Sequence, residues 1–291
     1  MDAETHGHRV GTVGALWRFP VKSMLGERVD AVVVTRRGVV GDRAFGLIDG
    51  ETGKIASAKN PRRWGNLLKL RAEYVENPEH DDRLPPVRIT LPDATVMYHT
   101  DPNIDEALSE AVGRPVRLTS EPPARRVLEN YHPDIDELPE SERDTVTDSD
   151  MGVFAPNTFQ DAAPLQLMST ATLARLTELR RQTAFDARRF RPNFVVATEE
   201  TSVGFVENDW AGQTIALGPD VRAQGIISVP RCVITTLDQQ ELPRDNAVLQ
   251  TIARHNRIDI PILGPSPCAG LYAIVASGGT VRRGDQVAIA Q

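Results

Sequence analysis

Pro230-Arg231-Cys232-Val233-Ile234-Thr235-Thr236-Leu237-Asp238 holds one of only two cysteines in a chain of 291 residues. Val233, Ile234, Thr235 and Thr236 are all β-branched, so the run predicts a strand with a cysteine near its start. Arg231 stands directly before that cysteine. A neighbouring guanidinium favours thiolate over thiol, and a thiolate attacks electrophiles or binds soft metals. A buried structural thiol satisfies the same nine residues, because free cysteine is among the most buried residue types. The stretch alone leaves both readings open.

Composition narrows the class. Hydrophobic residues at 40% and charged residues at 25% describe an ordinary globular protein long enough for two domains. No apolar run approaches the roughly 18 residues of a membrane helix, so no membrane association is expected. The polar start lacks the apolar core of a secretory signal. A net charge of −7 gives no general attraction to nucleic acid. Two cysteines, Cys232 and Cys268, are too few for a disulfide framework, although one bridge between them is allowed. A reducing, cytoplasmic setting is the expectation.

Outward from the cysteine, the chain reads as many short strands with few helices. In the first half, strands are expected at residues 10–18, 29–35, 39–49, 67–75, 87–91, 95–98 and 116–118, with a hairpin at Asp49-Gly50 and Thr52-Gly53. Close spacing of strands with turns between them suggests a small antiparallel barrel. A helix over 101–113 is closed by Gly113. Between Glu129 and Asp150 nine acids face one base, Arg143, and Pro133 and Pro139 interrupt the few apolar residues. Such a segment predicts a surface loop or linker, with a lid over a site as the alternative. The second half predicts strands at 165–168, 194–197, 214–217 and 230–238, a Ser169-capped helix, a helix over 245–255, and a closing pair at 271–276 and 281–289. Strands and helices do not alternate, which favours an α+β fold of two β-rich barrels over a doubly wound sheet. The expected organisation is residues 9–118, an acidic linker at 119–150, and residues 151–291.

Familiar catalytic signatures are missing: no GxGxxG, P-loop, HExxH, CxxC or GxSxG occurs. The histidines, including His6 and His8 near the start, His99 and His255, lack partners at ligand spacing and read as structural or solvated. What remains is a scatter of cations at turns and strand ends: Lys22-Ser23, Asp42-Arg43, Lys59-Asn60, Arg191-Pro192-Asn193 and Arg231. If they converge, they suit an anionic ligand, because a guanidinium fork donates two parallel hydrogen bonds to phosphate-like groups.

Five motifs in order carry a resemblance. They are Phe19-Pro20-Val21-Lys22-Ser23, Gly41-Asp42-Arg43, Arg189-Phe190-Arg191-Pro192-Asn193, Arg231-Cys232-Val233-Ile234-Thr235-Thr236, and Gly270-Leu271-Tyr272 with the final Gly284-Asp285. With them the chain resembles, from about residue 10 to residue 287, the MOSC proteins that have an N-terminal β-barrel, the group of the amidoxime-reducing components. The resemblance implies a molybdenum–molybdopterin cofactor (Moco) between the two halves, with Cys232 as metal ligand and catalytic residue. It implies further that Lys22, Ser23, Arg43, Asp161, Arg191, Asn193, Arg231 and Tyr272 surround the cofactor; a pyridoxal phosphate site is not expected. The implied activity is reduction of N-hydroxylated or N-oxide small molecules with electrons from a separate donor protein, a ferredoxin or a flavin reductase. Arg62-Arg63 and Arg125-Arg126 are the basic clusters available for an acidic donor. Two other readings of the same cysteine are a persulfide-carrying sulfurtransferase and a non-catalytic cofactor carrier.

The sequence departs from the pattern in two places. Asp161-Ala162-Ala163-Pro164 has alanines where the reductases carry hydroxyls. Cys268 occupies an unusual position, where it could pair with, replace or merely neighbour Cys232. No cysteines remain to ligate an iron–sulfur cluster after residue 268, so such a domain is not expected in this sequence.

Overall fold

The computed structural model describes residues 7–156, 158–261 and 263–290. Its architecture starts from the first strand, His8–Arg18, whose Val13 and Leu16 point inward. That strand pairs antiparallel with Phe194–Thr198 on one side and with Gln286–Ala290 on the other. The ladder continues through Thr214–Leu217, Val221–Pro230, Gly264–Ser277 and Leu165–Ser169, which returns to Phe194–Thr198. Seven strands thus close into a barrel, and closure leaves none of them as a free edge. One neighbouring pair, Leu165–Ser169 with Phe194–Thr198, is parallel, as its connection through the helix Thr170–Leu179 requires. Ser169 Oγ caps that helix by accepting the Thr172 N–H at 3.0 Å.

Residues of the first half gather around a second core that includes Val21, Met24, Phe45, Leu47, Trp64, Leu67 and Leu108. Gly46–Asp49 pairs with Val116–Thr119, while Arg71–Tyr74, Val87–Thr90 and Val96–Tyr98 form a three-stranded sheet. The helix Ile104–Val112 ends at Gly113, which is left-handed as expected. The protein is α+β, rich in short strands, with five α-helices among the described residues.

Several expectations for individual elements need correction. Val233–Thr236 is a 3₁₀ turn and not a strand. The hydroxyls of Thr235 and Thr236 bond back to the carbonyls of Cys232 and Val233, at 3.0 and 2.8 Å. This local pairing competes with a ladder and overrides the β-branched propensity. The run 39–49 is broken by a turn in which Arg43 is left-handed, and 65–69 is a 3₁₀ helix before the strand Arg71–Tyr74. The closing strands do not pair with each other. Gly279–Arg282 joins Ala31–Thr35, and Gln286–Ala290 joins the first strand.

The acidic segment contains a six-pair hairpin, Val127–His132 with Thr145–Asp150. Bases from both halves of the chain hold it. Arg63 reaches Glu129 at 2.9 Å, Lys54 reaches Asp148 at 2.6 Å, Arg62 pairs with Asp144, and Arg254 pairs with Glu137. Leu128 and Tyr131 bury apolar surface beneath it. The sequence window shows only the repulsion among its acids; the compensating cations lie up to about a hundred residues away. The Arg62-Arg63 pair is thereby engaged within the molecule, and Arg126 donates to the carbonyls of Ala155 and Gly152.

Partly exposed ion pairs contribute about 0–1 kcal/mol each. Arg63→Ala is therefore expected to raise amide exchange in Val127–His132 by roughly two- to fivefold while Phe194–Thr198 stays unchanged, measured by hydrogen exchange with mass spectrometry. Unchanged exchange in the hairpin would mean that Leu128 and Tyr131 order it alone.

Candidate functional site

All nine residues singled out from the sequence line one cavity at the seam between the two cores: Lys22, Ser23, Arg43, Asp161, Arg191, Asn193, Arg231, Cys232 and Tyr272. They arrive from separate elements. Pro230 ends a barrel strand, and the Arg231 N–H still bonds to the Pro267 carbonyl at 2.7 Å. Cys232 then stands extended, half-buried, ahead of the 3₁₀ turn. Arg189, almost wholly buried, fixes the far side of that turn by donating to the carbonyls of Leu237 (3.0 Å) and Pro243 (2.7 Å). Val233, Ile234 and Leu237 pack on Ala58, Leu68 and Tyr131, so the cysteine turn is seated against the first half and the acidic hairpin.

Three site residues hold backbone conformations that side chains rarely adopt. Ser23, Arg43 and Arg191 have φ of 64°, 48° and 54°. Such strain persists only where surrounding contacts over-determine it, and it clusters at functional sites. Here the contacts are explicit. The Ala58 N–H donates to Ser23 Oγ at 3.1 Å, Arg43 donates to the Arg191 carbonyl at 3.0 Å, and Arg191 Nη1 donates to the Met24 carbonyl at 2.8 Å. Asn193 accepts the Gln166 N–H at 3.1 Å and ties the Arg191 turn to the barrel.

The charge balance of the cavity is one-sided. Lys22, Arg43, Lys59, Arg189, Arg191 and Arg231 line it against a single carboxylate, Asp161. Asp161 is shared: Lys22 pairs with one oxygen and Lys59 lies 3.2 Å from the other. Burial works to raise the Asp161 pKa, but the two ammonium groups hold it well below the usual carboxylate range. Lys22 is pushed down to about 8, chiefly by burial and against the pull of Asp161. Burial also acts to lower Lys59, yet Asp161, Cys232 and Tyr272 keep it above its ordinary value. Burial lowers Arg191, with Arg43 adding to the effect, and it lowers Arg231 as well. Tyr272 is held protonated by burial and by the negative charge of Asp161.

Some buried polar atoms at this cavity lack any partner among the described residues: Arg191 Nη2, Arg231 Nη2 and Gln160 Oε1. An unmade hydrogen bond on a buried charged group is costly, so orphaned donors in a cavity mark where a ligand's acceptors belong. Gly270 preserves that opening. It is left-handed (φ 83°), and a Cβ there would lie 3.0 Å from Arg231 Nη2 and 2.6 Å from the Leu167 carbonyl oxygen.

The cofactor set implied by the resemblance omitted Lys59, which stood only among the scattered cations, and it omitted Gln160, Gln166 and Arg189. Lys59 had a signal, as a cation beside a proline-terminated turn; its neighbour Asn60 turns away to Glu129 at 2.7 Å. Arg189 was visible only as part of a motif. The two glutamines carried no signal. Both cysteines are free. Cys268 is completely buried, its thiol pushed up to about 12 by burial, and it is a structural thiol behind the site. His99 is structural, its Nδ1 accepting the Val87 N–H at 2.9 Å. His6 lies outside the described residues. No cluster of three metal-ligating His, Cys, Asp or Glu side chains occurs among the described residues.

Fold and cavity define a protein with one closed seven-strand barrel, a second β-rich core and a strongly cationic site between them. The chain belongs to the MOSC family: residues 155–288 match the MOSC domain and residues 10–98 match the MOSC N-terminal beta barrel domain. It is 26% identical over 308 residues to mitochondrial amidoxime-reducing component 1 of Homo sapiens, covering 96% of this chain and 83% of that protein. It is 28% identical over 315 residues to mitochondrial amidoxime reducing component 2 of Rattus norvegicus, with the same coverage. Among solved structures it is similar to the YUAD protein from Bacillus subtilis, with a TM-score of 0.44 and 10% identity over 96% of this chain and 95% of that one. Among the described residues no helix is long and apolar enough to cross a membrane.

Two outcomes follow, one from the site's electrostatics and one from its packing. Lys22 is charged below about 8 and neutral above it. Affinity for sulfate, whose own charge is constant there, should fall as pH rises through 8, by roughly tenfold for one lost charge-assisted contact. Lys22→Met should remove that step; a flat wild-type profile in isothermal titration would contradict it. Gly270→Ala should lower sulfate affinity at neutral pH and lower the melting temperature. Both effects come from the crowded Cβ and the left-handed φ, a cost of about 1–3 kcal/mol.

Proposed function

We propose that this protein is a molybdenum-cofactor-dependent oxidoreductase that reduces N-hydroxylated or N-oxide compounds with electrons from a separate donor protein. The observation that carries the reading is the pair of buried, unpartnered guanidinium donors on Arg191 and Arg231, in a cavity that also presents Cys232. These residues fit a pterin cofactor. Arg191, Arg231, Arg43 and Lys59 would meet its phosphate and electron-rich sulfurs, Gln160 Oε1 would accept a ring N–H, and the Cys232 sulfur would ligate the metal. The similarity to proteins named as amidoxime-reducing components supports the same substrate class.

When bound, the cofactor supplies the two-electron redox chemistry and the site that takes the substrate's oxygen. The chain's own residues do the rest. Reducing R–NH–OH to R–NH₂ and water consumes two electrons and two protons. Lys22 Nζ, with a pKa of about 8, holds a transferable proton near neutral pH. The Tyr272 hydroxyl stays protonated, so it would donate a hydrogen bond to a bound substrate without losing its proton. Asp161 keeps both lysines oriented. The Cys232 turn, clamped by Arg189, sets the sulfur in one position. The electron donor, a ferredoxin or flavin reductase, docks away from Arg62-Arg63, whose charges are already matched. The two free thiols suit a reducing, cytoplasmic compartment.

Full-length protein purified from a host that makes the cofactor should contain about one molybdenum per chain. It should also reduce benzamidoxime with a chemical reductant. Cys232→Ser should abolish turnover with the fold intact, and Arg231→Ala should lower molybdenum occupancy roughly ten- to a hundredfold. Molybdenum-free protein carrying a persulfide on Cys232 would identify a sulfurtransferase. Loaded protein without turnover would identify a carrier.

A further inference from the structure

Arg191 and Arg231 raise a physical problem. Both guanidiniums are buried at the cavity, neither is within salt-bridge distance of a carboxylate among the described residues, and each leaves Nη2 unpaired. Buried charges are normally matched by an opposite charge, because desolvation of a lone ion is prohibitive. Backbone carbonyls offset part of the cost. Met24 accepts from Arg191, while Ala269 (2.7 Å) and Phe190 (2.9 Å) accept from Arg231.

The remaining contact is the same in both cases. The Arg191 guanidinium carbon lies 4.2 Å from the centroid of the Phe19 ring, and that of Arg231 lies 5.2 Å from the Phe190 ring. Arg43 shares the Phe19 ring, its guanidinium carbon 4.5 Å from the centroid, and elsewhere Arg18, Arg62, Arg63 and Arg114 stack on aromatic rings; every one of these five also pairs with a carboxylate. Among the described residues only the two arginines with open donors at the cavity stack without one. The difference has a chemical reason. A carboxylate neutralises a guanidinium by occupying its in-plane N–H groups, whereas a ring attracts the cation through its face and leaves those N–H groups free.

Phe19 is itself fixed for this task. Its N–H donates to Asp42 at 2.9 Å, its carbonyl accepts the Arg43 N–H at 2.7 Å, and Gly26 makes room for the ring, since a Cβ there would fall 2.6 Å from Cδ1.

We propose that Phe19 and Phe190 are positioning residues that replace carboxylate counter-ions for Arg191 and Arg231, keeping each charged, buried and open toward an anion. The proposal rests on the reading of the cavity as an anion site and adds what makes that site available.

The test compares Phe19→Leu and Phe190→Leu with Phe19→Tyr and Phe190→Tyr in the full chain. Two readouts are used: sulfate affinity by isothermal titration, and the arginine Nε–H resonances by NMR without ligand. The Leu variants should bind sulfate about tenfold more weakly than wild type, and the Tyr variants within about twofold of it. The ring-current-shifted Nε–H signal of the stacked arginine should persist in wild type and Tyr and move to the ordinary position in Leu. Leu variants that bind like wild type, or Tyr variants that lose as much as Leu, would overturn the proposal and leave the rings as packing. If wild-type protein bound no sulfate, the anion-site reading would fail instead. The NMR comparison would still decide the positioning role, an unshifted wild-type signal overturning it.

Discussion

The structure depends on burying positive charge beside almost no negative charge. Six cationic side chains meet at a cavity holding one carboxylate, and each loses solvation on the way. Asp161 answers for two of them by sharing its oxygens between Lys22 and Lys59. Arg43 brings its own partner, Asp42, at 2.6 Å. Arg189 is held wholly by carbonyls, and Arg191 and Arg231 only in part, by carbonyls and rings. A buried network in which some donors stay open is unfavourable by itself, and a ligand that closes them recovers that free energy on binding.

Holding such a site demands that its parts come from elements that cannot relax independently. Lys22, Ser23 and Arg43 belong to the first core, Arg191 and Arg231 to the barrel, and Arg43 bonds directly to the Arg191 backbone. Left-handed backbone at Ser23, Arg43 and Arg191 aims side chains that regular strands would send elsewhere, at a conformational cost carried by the surrounding hydrogen bonds. The acidic hairpin adds a further tie, because its strands meet bases of the first half, the segment joining them meets Arg254, and Tyr131 covers the cysteine turn. It also explains how a chain of net charge −7 keeps a basic cavity. Residues 129–150, with nine acids against one base, carry more negative charge than the net −7 of the whole chain, and those acids that are paired face bases on the molecule's exterior.

The sequence by itself determined the α+β class, most of the strands, and the identity of nine residues that share the cavity. The strands were legible because alternating apolar residues define them, whereas the nine residues were legible through the family resemblance that the ordered motifs from Phe19 to Tyr272 carry. Where local chemistry pointed both ways, the sequence erred. The β-branched run at Val233–Thr236 became a 3₁₀ turn because threonine hydroxyls could bond back and Arg189 could clamp the exit, a contact across more than forty residues. The acidic segment became a hairpin because its counter-charges sit far away in the chain. Tertiary structure alone decided that Lys59 faces the cavity while Asn60 does not, that Cys268 is sealed behind Arg231, and that Phe19 and Phe190 lie against the two open arginines. Each of these depends on which surfaces are brought together when water is expelled, and no window of sequence contains that information.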